Sequence, residues 1–406
     1  MVIKMSTVFF AIIAMLGMEL FQMEIFIISI LFLAILIAYR KKSMKISAEF
    51  IVLVACFTIN YFVLSAKDTV SLSIFNLIRA FLGPIMGYII GYFVVDKDRN
   101  RLETLIYVLG MSYFAHGVLN LFSTTTLSTS SRYVNNIWTG DPTTATLQTT
   151  YFIFAISIAV FWIFFKRKFY RLGGICILGA ALWNAMQTAS RTPLYLIALT
   201  LVGGYTMKQY HSKEKKEFFK NTFKLLFILL LSVIVLILLY HNNIFGIKET
   251  FESSFLGQRL SMIDREIGDT RLEIWIDSFQ KLITHPMGYE DEEYAHNMWL
   301  DMGKETGILT FALLVVYTGM ILYRLWKNVY KKKSEGNRRF LLVFFYAVAC
   351  VDFMLEPILQ GVPFVFISFC MINGGVASLG EESLDENSEN DKRVLDPFEL
   401  ELRKYL

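Results

Sequence analysis

The 406-residue chain is 55% hydrophobic and 18% charged, with a mean hydropathy of +0.49. Apolar runs recur along nearly its whole length, each about the ~20 residues a helix needs to cross ~30 Å of hydrocarbon, which excludes a water-soluble globular domain. The net charge of +4 comes from Lys and Arg gathered in short segments between those runs, so it gives no nucleic-acid footprint.

In chain order the apolar runs predict helical spans at 5–20, 23–39, 46–66, 71–95, 102–123, 148–165, 172–188, 193–207, 221–241, 307–326, 340–356 and 358–379, about twelve in all. The first run begins close to Met1 and has no small-residue cleavage pattern, so a retained helix is expected rather than a removed signal peptide. Only Gly17, Glu19 and Glu24 interrupt residues 5–39, so one long tilted helix competes there with two spans.

The positive-inside rule tests the list, because every second connection should be basic. Counted from a cytoplasmic N-terminus, the inner connections hold Arg40, Lys41, Lys42 and Lys45; Lys97, Arg99 and Arg101; and Lys166, Arg167, Lys168 and Arg171. The next two hold Lys208, Lys213, Lys215, Lys216 and Lys220, then Lys327, Lys331, Lys332, Lys333, Arg338 and Arg339. Merging the first two spans would flip every later connection, so the pattern favours twelve spans with both ends inside. The expected organisation is an N-terminal transmembrane bundle over 1–241, a large extracytoplasmic loop over 242–306, C-terminal transmembrane helices over 307–380 and a disordered cytoplasmic tail over 381–406.

Two outer segments are too long to be plain turns, and such loops usually carry function. Residues 124–147 are rich in Ser and Thr and end in Trp138, Gly140, Asp141 and Pro142. In 242–306, Thr270 and Glu273 form a capping box that opens a helix. Leu272, Trp275, Ile276, Phe279, Leu282 and Ile283 then make a stripe of 3.6-residue period that would lie on the membrane surface or on the protein. His285-Pro286 ends that helix, and a second element from about Tyr294 through Trp299 is expected to run into the next span.

Arg191, in the tight Ser190-Arg191-Thr192-Pro193 junction, places a guanidinium near hydrocarbon, where it needs a partner and where its fork suits phosphate; snorkelling or a local carboxylate pair is the plainer reading. Arg271 stands in the first turn of the loop helix, where the dipole disfavours a cation unless an anion joins it; the alternatives are a solvated Arg or a partner for Asp269. His296 has the right ordinary pKa for proton transfer, although a lone His is more often structural, and Asn297 follows it. Within spans, Arg79 and Glu356 are second-tier candidates, Asp352 and His116 weaker ones, and Glu19 and Glu24 are expected at an outer turn.

Glu290-Asp291-Glu292-Glu293 cannot converge on one ion from a single strand or helix and reads as a solvated face. The four cysteines, Cys56, Cys176, Cys350 and Cys370, lie in apolar runs without metal spacing and are expected to be unpaired packing residues. No metal and no cofactor is expected.

As a set, these features are more specific than any one of them. An SRTP junction between short spans, a long outer loop with Arg271-Leu272-Glu273-Ile274-Trp275, then His285-Pro286-Met287-Gly288, His296-Asn297 and a Gly307-Ile308 span start resembles the O-antigen ligase and O-antigen or capsule polymerase superfamily, from roughly 172 to 326. The loop departs from the family pattern after Gly288, where Tyr289-Glu290-Asp291 stands in place of Gly-x-Gly.

The resemblance implies an all-α polytopic fold of the GT-C type and a metal-independent glycosyltransferase in a bacterial plasma membrane, working on polyprenyl-pyrophosphate-linked oligosaccharide donor and acceptor. It implies that Arg191 and Arg271 bind the donor's pyrophosphate and that His296 serves the acceptor hydroxyl, with Asn297, Arg79 and Glu356 as further substrate contacts. A flippase and a chain-length regulator are the implied protein partners, besides the lipid bilayer. A repeat-unit polymerase is the leading expectation and a glycan ligase shares the same outline. A lipid-linked oligosaccharide transporter would show repeated halves and broken helices, and a non-catalytic assembly protein would not need the three residues to converge.

Overall fold

The computed structural model describes residues 5–67, 77–123, 133–211, 271–289, 294–331 and 338–380, with scattered positions between 231 and 252. They form an all-helical membrane protein apart from one short hairpin. The helices are α1 Met5–Gly17, α2 Glu24–Ala38, α3 Ala48–Ala66, α4 Gly83–Val95, α5 Arg99–Ser123, α6 Ala145–Thr150, α7 Ile153–Phe165, α8 Lys168–Thr188 and α9 Thr192–His211. They continue as α10 Arg271–Thr284, α11 Met298–Thr306, α12 Ile308–Lys331, α13 Arg338–Leu355, α14 Ile358–Gly361 and α15 Pro363–Gly380.

Among the described residues, five helical stretches are long and apolar enough to cross a membrane: Ala48–Ala66, Arg99–Ser123, Ala145–Phe165, Lys168–Thr188 and Ile308–Lys327. Shorter apolar helices lie at Met5–Gly17, Glu24–Ala38, Gly83–Val95 and Pro363–Leu379. Most of the expected ninth span, much of the Lys-rich connection before it, Asp269, Thr270, the acidic run 290–293 and the tail from 381 lie outside the described residues.

The first apolar stretch is two helices. Glu19, Phe21 and Gln22 all take positive φ between α1 and α2, and the Phe9 ring near the start of α1 lies 6.3 Å from the Tyr39 ring just past the end of α2, so the pair is antiparallel. Glu19 and Glu24 flank that turn, both buried.

Among the described elements, α4 and α15 pack more extensively than any other pair. Gly83, Gly87 and Gly91 lie on one face of α4 at four-residue spacing, and a β-carbon at Gly91 would collide with the Met371 carbonyl. Removing side chains from a helix face lets two backbones approach, which is how dispersion holds helices together where there is no water to expel. Around this pair, Phe57, Phe154, Phe345, Phe353, Phe366 and Phe369 form an aromatic core drawn from α3, α7, α13 and α15. Immediately before α4, Ile78–Leu82 makes a π turn that carries Arg79, whose side chain lies outside the described residues.

Three local expectations need correction. The segment before α6 contains an antiparallel hairpin, β1 Tyr133–Asn135 with β2 Pro142–Thr144, pairing Val134 with Thr143. Its turn is closed by Gly140 at φ 76, a conformation that suits glycine because it has no β-carbon, and Trp138 pins the hairpin by donating from Nε1 to the Met18 carbonyl at 2.9 Å. The element after Tyr294 does not run on into α12: Gly307, at φ 100, breaks the chain between α11 and α12. Among the cysteines, Cys56 and Cys370 are buried and Cys350 half-buried, but Cys176 is exposed and is not a packing residue; all four are free thiols.

Candidate functional site

Helix α10 has three sectors, as its sequence period requires. Trp275, Ser278 and Leu282 turn toward the protein, Glu273, Asp277 and Gln280 are exposed polar residues, and Leu272, Ile276, Phe279 and Ile283 are exposed apolar ones. Arg271 opens the helix on the protein-facing sector.

Arg271 reaches the end of α13. That helix stops at Leu355 because Pro357 follows one residue on, and a residue before proline is pushed out of the helical region. The last carbonyls of a helix lack intrahelical donors. Arg271 supplies one: Nη1 donates to the Leu355 carbonyl at 2.7 Å, while Nη2 lies 4.0 Å from Glu356 Oε1. Glu356 is 2% exposed, and the same Oε1 accepts from Thr192 Oγ1 at 2.8 Å. One carboxylate oxygen thus receives both the SRTP junction and the loop helix.

Arg191 precedes that threonine. The left-handed Ala189, at φ 52, ends α8, and the Arg191 carbonyl accepts from Leu194 and Tyr195 to start α9, so the junction turns within a few residues. The Arg191 side chain is half-buried, and among the described residues it has no hydrogen bond or ion pair. Asp352, one turn before Glu356 on α13, is fully buried with Glu356, Thr150 and Arg271 as its electrostatic neighbours.

His296 is held in place by its surroundings. It adopts φ 51, a left-handed conformation that costs a non-glycine residue roughly 1–2 kcal/mol and persists only where neighbours impose it. The neighbour is Asp301, which is fully buried; its Oδ1 accepts from the Ala295 amide at 2.7 Å and its Oδ2 from the Asn297 amide at 3.0 Å. Asn297 caps α11, its Oδ1 accepting from Trp299 and Leu300, both at 3.2 Å. Trp275, one turn beyond Arg271, donates from Nε1 to the Ala295 carbonyl at 3.0 Å, which ties α10 to the histidine segment. Burial pushes the Asp301 carboxyl up to about 6, against the two amides, which favour its charged form.

The motif residues between α10 and α12 do backbone work. Ile308 donates to the Pro286 carbonyl at 2.9 Å and Tyr289 to the Lys304 carbonyl at 2.9 Å. Gly288, at φ 89, leaves no room for a β-carbon, which would lie 2.6 Å from that same Lys304 carbonyl. The His285 ring stays local, at 2.9 Å from the Thr284 hydroxyl and 3.2 Å from the Lys281 carbonyl. Glu305, which sequence reasoning passed over, accepts from Gln360 Nε2 at 3.0 Å, one turn beyond Glu356, and burial raises its carboxyl above the usual range.

The structure therefore gathers Arg271, Glu356, Asp352 and the Arg191-Thr192 junction, and links His296 and Asn297 to them through Trp275. His116 belongs elsewhere. It lies in a second buried cluster, its Nδ1 3.7 Å from Glu19 Oε2, with the Tyr151 hydroxyl donating to that oxygen at 2.7 Å. Among the described residues no three His, Cys, Asp or Glu side chains are grouped as a metal would need. No family model matches the chain, and no curated protein matches it.

Proposed function

We propose that this chain is a membrane glycosyltransferase that extends a polysaccharide, transferring a glycan from a polyprenyl pyrophosphate to a sugar hydroxyl of the next lipid-linked repeat unit. The observation that carries the reading is the convergence on Glu356 Oε1 of Thr192, the residue after half-buried Arg191, and of Arg271, which is anchored on the Leu355 carbonyl but not saturated. Two such cations suit a diphosphate, and the proposed function uses them as an anion clamp.

In this scheme the acceptor oxygen attacks the anomeric carbon, and the bond from that carbon to the phosphate oxygen breaks. The electron pair leaves on the pyrophosphate, and the hydroxyl proton passes to His296 or to a water that it orients. Negative charge grows on the leaving diphosphate as the bond breaks, so fixed guanidiniums stabilise the transition state more than the ground state. Glu356 holds Arg271 in direction. Asn297 and Arg79 complete the proposed substrate contacts. The wider reading has twelve spans in a GT-C-like arrangement, with both termini in the cytoplasm of a bacterial cell and the site on the opposite face of its plasma membrane; the alternation of basic connections supports it.

The test is the purified full-length protein in lipid nanodiscs with a defined lipid-linked repeat unit. Chain extension is expected. Transfer only to a different acceptor would reassign the protein as a ligase, and movement of the unmodified substrate across the bilayer without new glycosidic bonds would make it a transporter.

A further inference from the structure

We propose that helix α10 is a membrane-interface helix whose exposed apolar sector, Leu272, Ile276, Phe279 and Ile283, is immersed in the adjacent lipid leaflet. These side chains are 61%, 50%, 44% and 56% exposed, on a helix whose other outward sector is polar. Two apolar turns in water beside a polar face are the arrangement that partitions to a bilayer interface.

Position decides that the occupant is lipid. The chain leaving α10 is bonded to the start of α12 through Ile308 and the Pro286 carbonyl, so this end of the helix lies level with the end of a candidate membrane span. Phe279 contacts Phe311 of α12 with ring centroids 6.0 Å apart. Beyond that contact the apolar surface continues along α12 through exposed Leu309, Val315 and Val316. The stripe is thus an extension of a lipid-facing helix surface rather than an isolated patch. Glu273, Asp277 and Gln280, exposed on the neighbouring sector, would face water, and the Asp277–Lys281 pair at 2.8 Å reinforces that edge.

Immersion sets Arg271, at the head of the same helix, at the depth of lipid headgroups. A lipid-borne anion would then meet it by lateral diffusion, with no need to leave the membrane. The immersion stands whether or not the reaction proposed above is correct, because its test reads accessibility and not turnover.

The experiment is a nitroxide scan of the full-length protein in phosphatidylethanolamine–phosphatidylglycerol nanodiscs, in a Cys176→Ser, Cys350→Ser background. Labels replace Leu272, Ile276, Phe279 and Ile283 in turn, and Glu273, Asp277 and Gln280 as the opposing set. Collision with dissolved oxygen should exceed collision with a water-soluble nickel chelate across the first set and fall below it across the second. Nickel access equal in both sets would overturn the proposal in favour of a helix in water. Exclusion of both reagents at the stripe would overturn it in favour of protein cover, and dipolar broadening would identify that cover as a second copy. Unsubstituted protein labelled with a diazirine-bearing phospholipid gives an independent reading: adducts are expected on Leu272, Ile276, Phe279 or Ile283, and their absence where α12 is labelled counts against immersion.

Discussion

Asp301 sets the backbone of His296: its two carboxylate oxygens take the amides of Ala295 and Asn297, one on either side of the histidine. The left-handed φ of 51 at His296 is the conformation this double bond imposes. Asp301→Ala removes both acceptors and leaves two amides unmatched, and should cost roughly 2–4 kcal/mol of stability, read as a lower unfolding midpoint in detergent. Asp301→Asn keeps the volume but turns an N–H toward one of the amides, so turnover should fall in this variant while binding of the diphosphate-bearing substrate is retained.

The same carboxylate makes a pH prediction with a definite sign. Burial raises the Asp301 carboxyl from 3.8 to about 6, so the folded protein holds this proton more tightly than the unfolded chain. The favourable contribution is complete below about pH 4 and is lost as pH rises to about 6, a change of about 3 kcal/mol. The charged form is the better acceptor for the two amides, so the His296 turn tightens over the range in which global stability declines. Hydrogen exchange of the Ala295 and Asn297 amides, corrected for intrinsic rates, should slow from pH 5 to pH 7 in the parent protein and show no such step in Asp301→Asn.

Arg191→Ala and Arg271→Ala should each abolish polymer while the protein still inserts and purifies, and a normal polymer ladder from either variant would remove the clamp. Arg271→Lys separates charge from geometry. A lysine ammonium cannot bond the Leu355 carbonyl and face an anion with the same planar fork, so a loss of more than about tenfold in turnover is expected even though the charge is kept.

Glu356 is the meeting point of α9, α10 and α13, and its two roles can be pulled apart. Glu356→Gln keeps an acceptor for Thr192, and the pair it loses is 4.0 Å long with Arg271 41% exposed, so stability should change by no more than about 1 kcal/mol. Glu356→Ala strands the buried Thr192 hydroxyl and should cost about 1–3 kcal/mol. Thermal unfolding of the two variants side by side checks the difference.

Gly307 and Gly319 lie on either side of the start of α12 and should respond in opposite ways to alanine. At Gly307, φ is 100 and a β-carbon would strike the Pro286 carbonyl, so Gly307→Ala should lower the unfolding midpoint sharply and loosen the docking of α10. At Gly319 a β-carbon meets nothing within 4 Å, and alanine should be neutral or stabilising by up to about 1 kcal/mol.

Much of the fold was legible in the sequence, because apolar length and the placement of Lys and Arg are properties of the chain taken one stretch at a time. They give α3, α5, α7, α8 and α12 directly, and the break at Glu19 agrees with the two-helix reading of the first stretch. Arg271 opening a loop helix was equally local. The glycine row of α4 was legible too, as small residues every fourth position, and went unread. The hairpin at 133–144 gave a weaker signal, since strands of three residues are too short to show a period.

Only the tertiary structure decided which residues meet. Thr192 and Glu356 are 164 residues apart, and Arg271 and Leu355 are 84 apart; no periodicity links them, because the contact depends on the angles at which three helices pack. Nothing in the local sequence marks Asp301, because its role is the bond back to the Ala295 amide, and the His285-Pro286 and Gly307 positions serve backbone docking as well as the motif. The sequence by itself determined that the chain is apolar at helical span length and where its cations lie. The packing alone determined that Glu356 receives both Thr192 and Arg271, since burying a carboxylate is tolerable only where donors from distant segments converge on it.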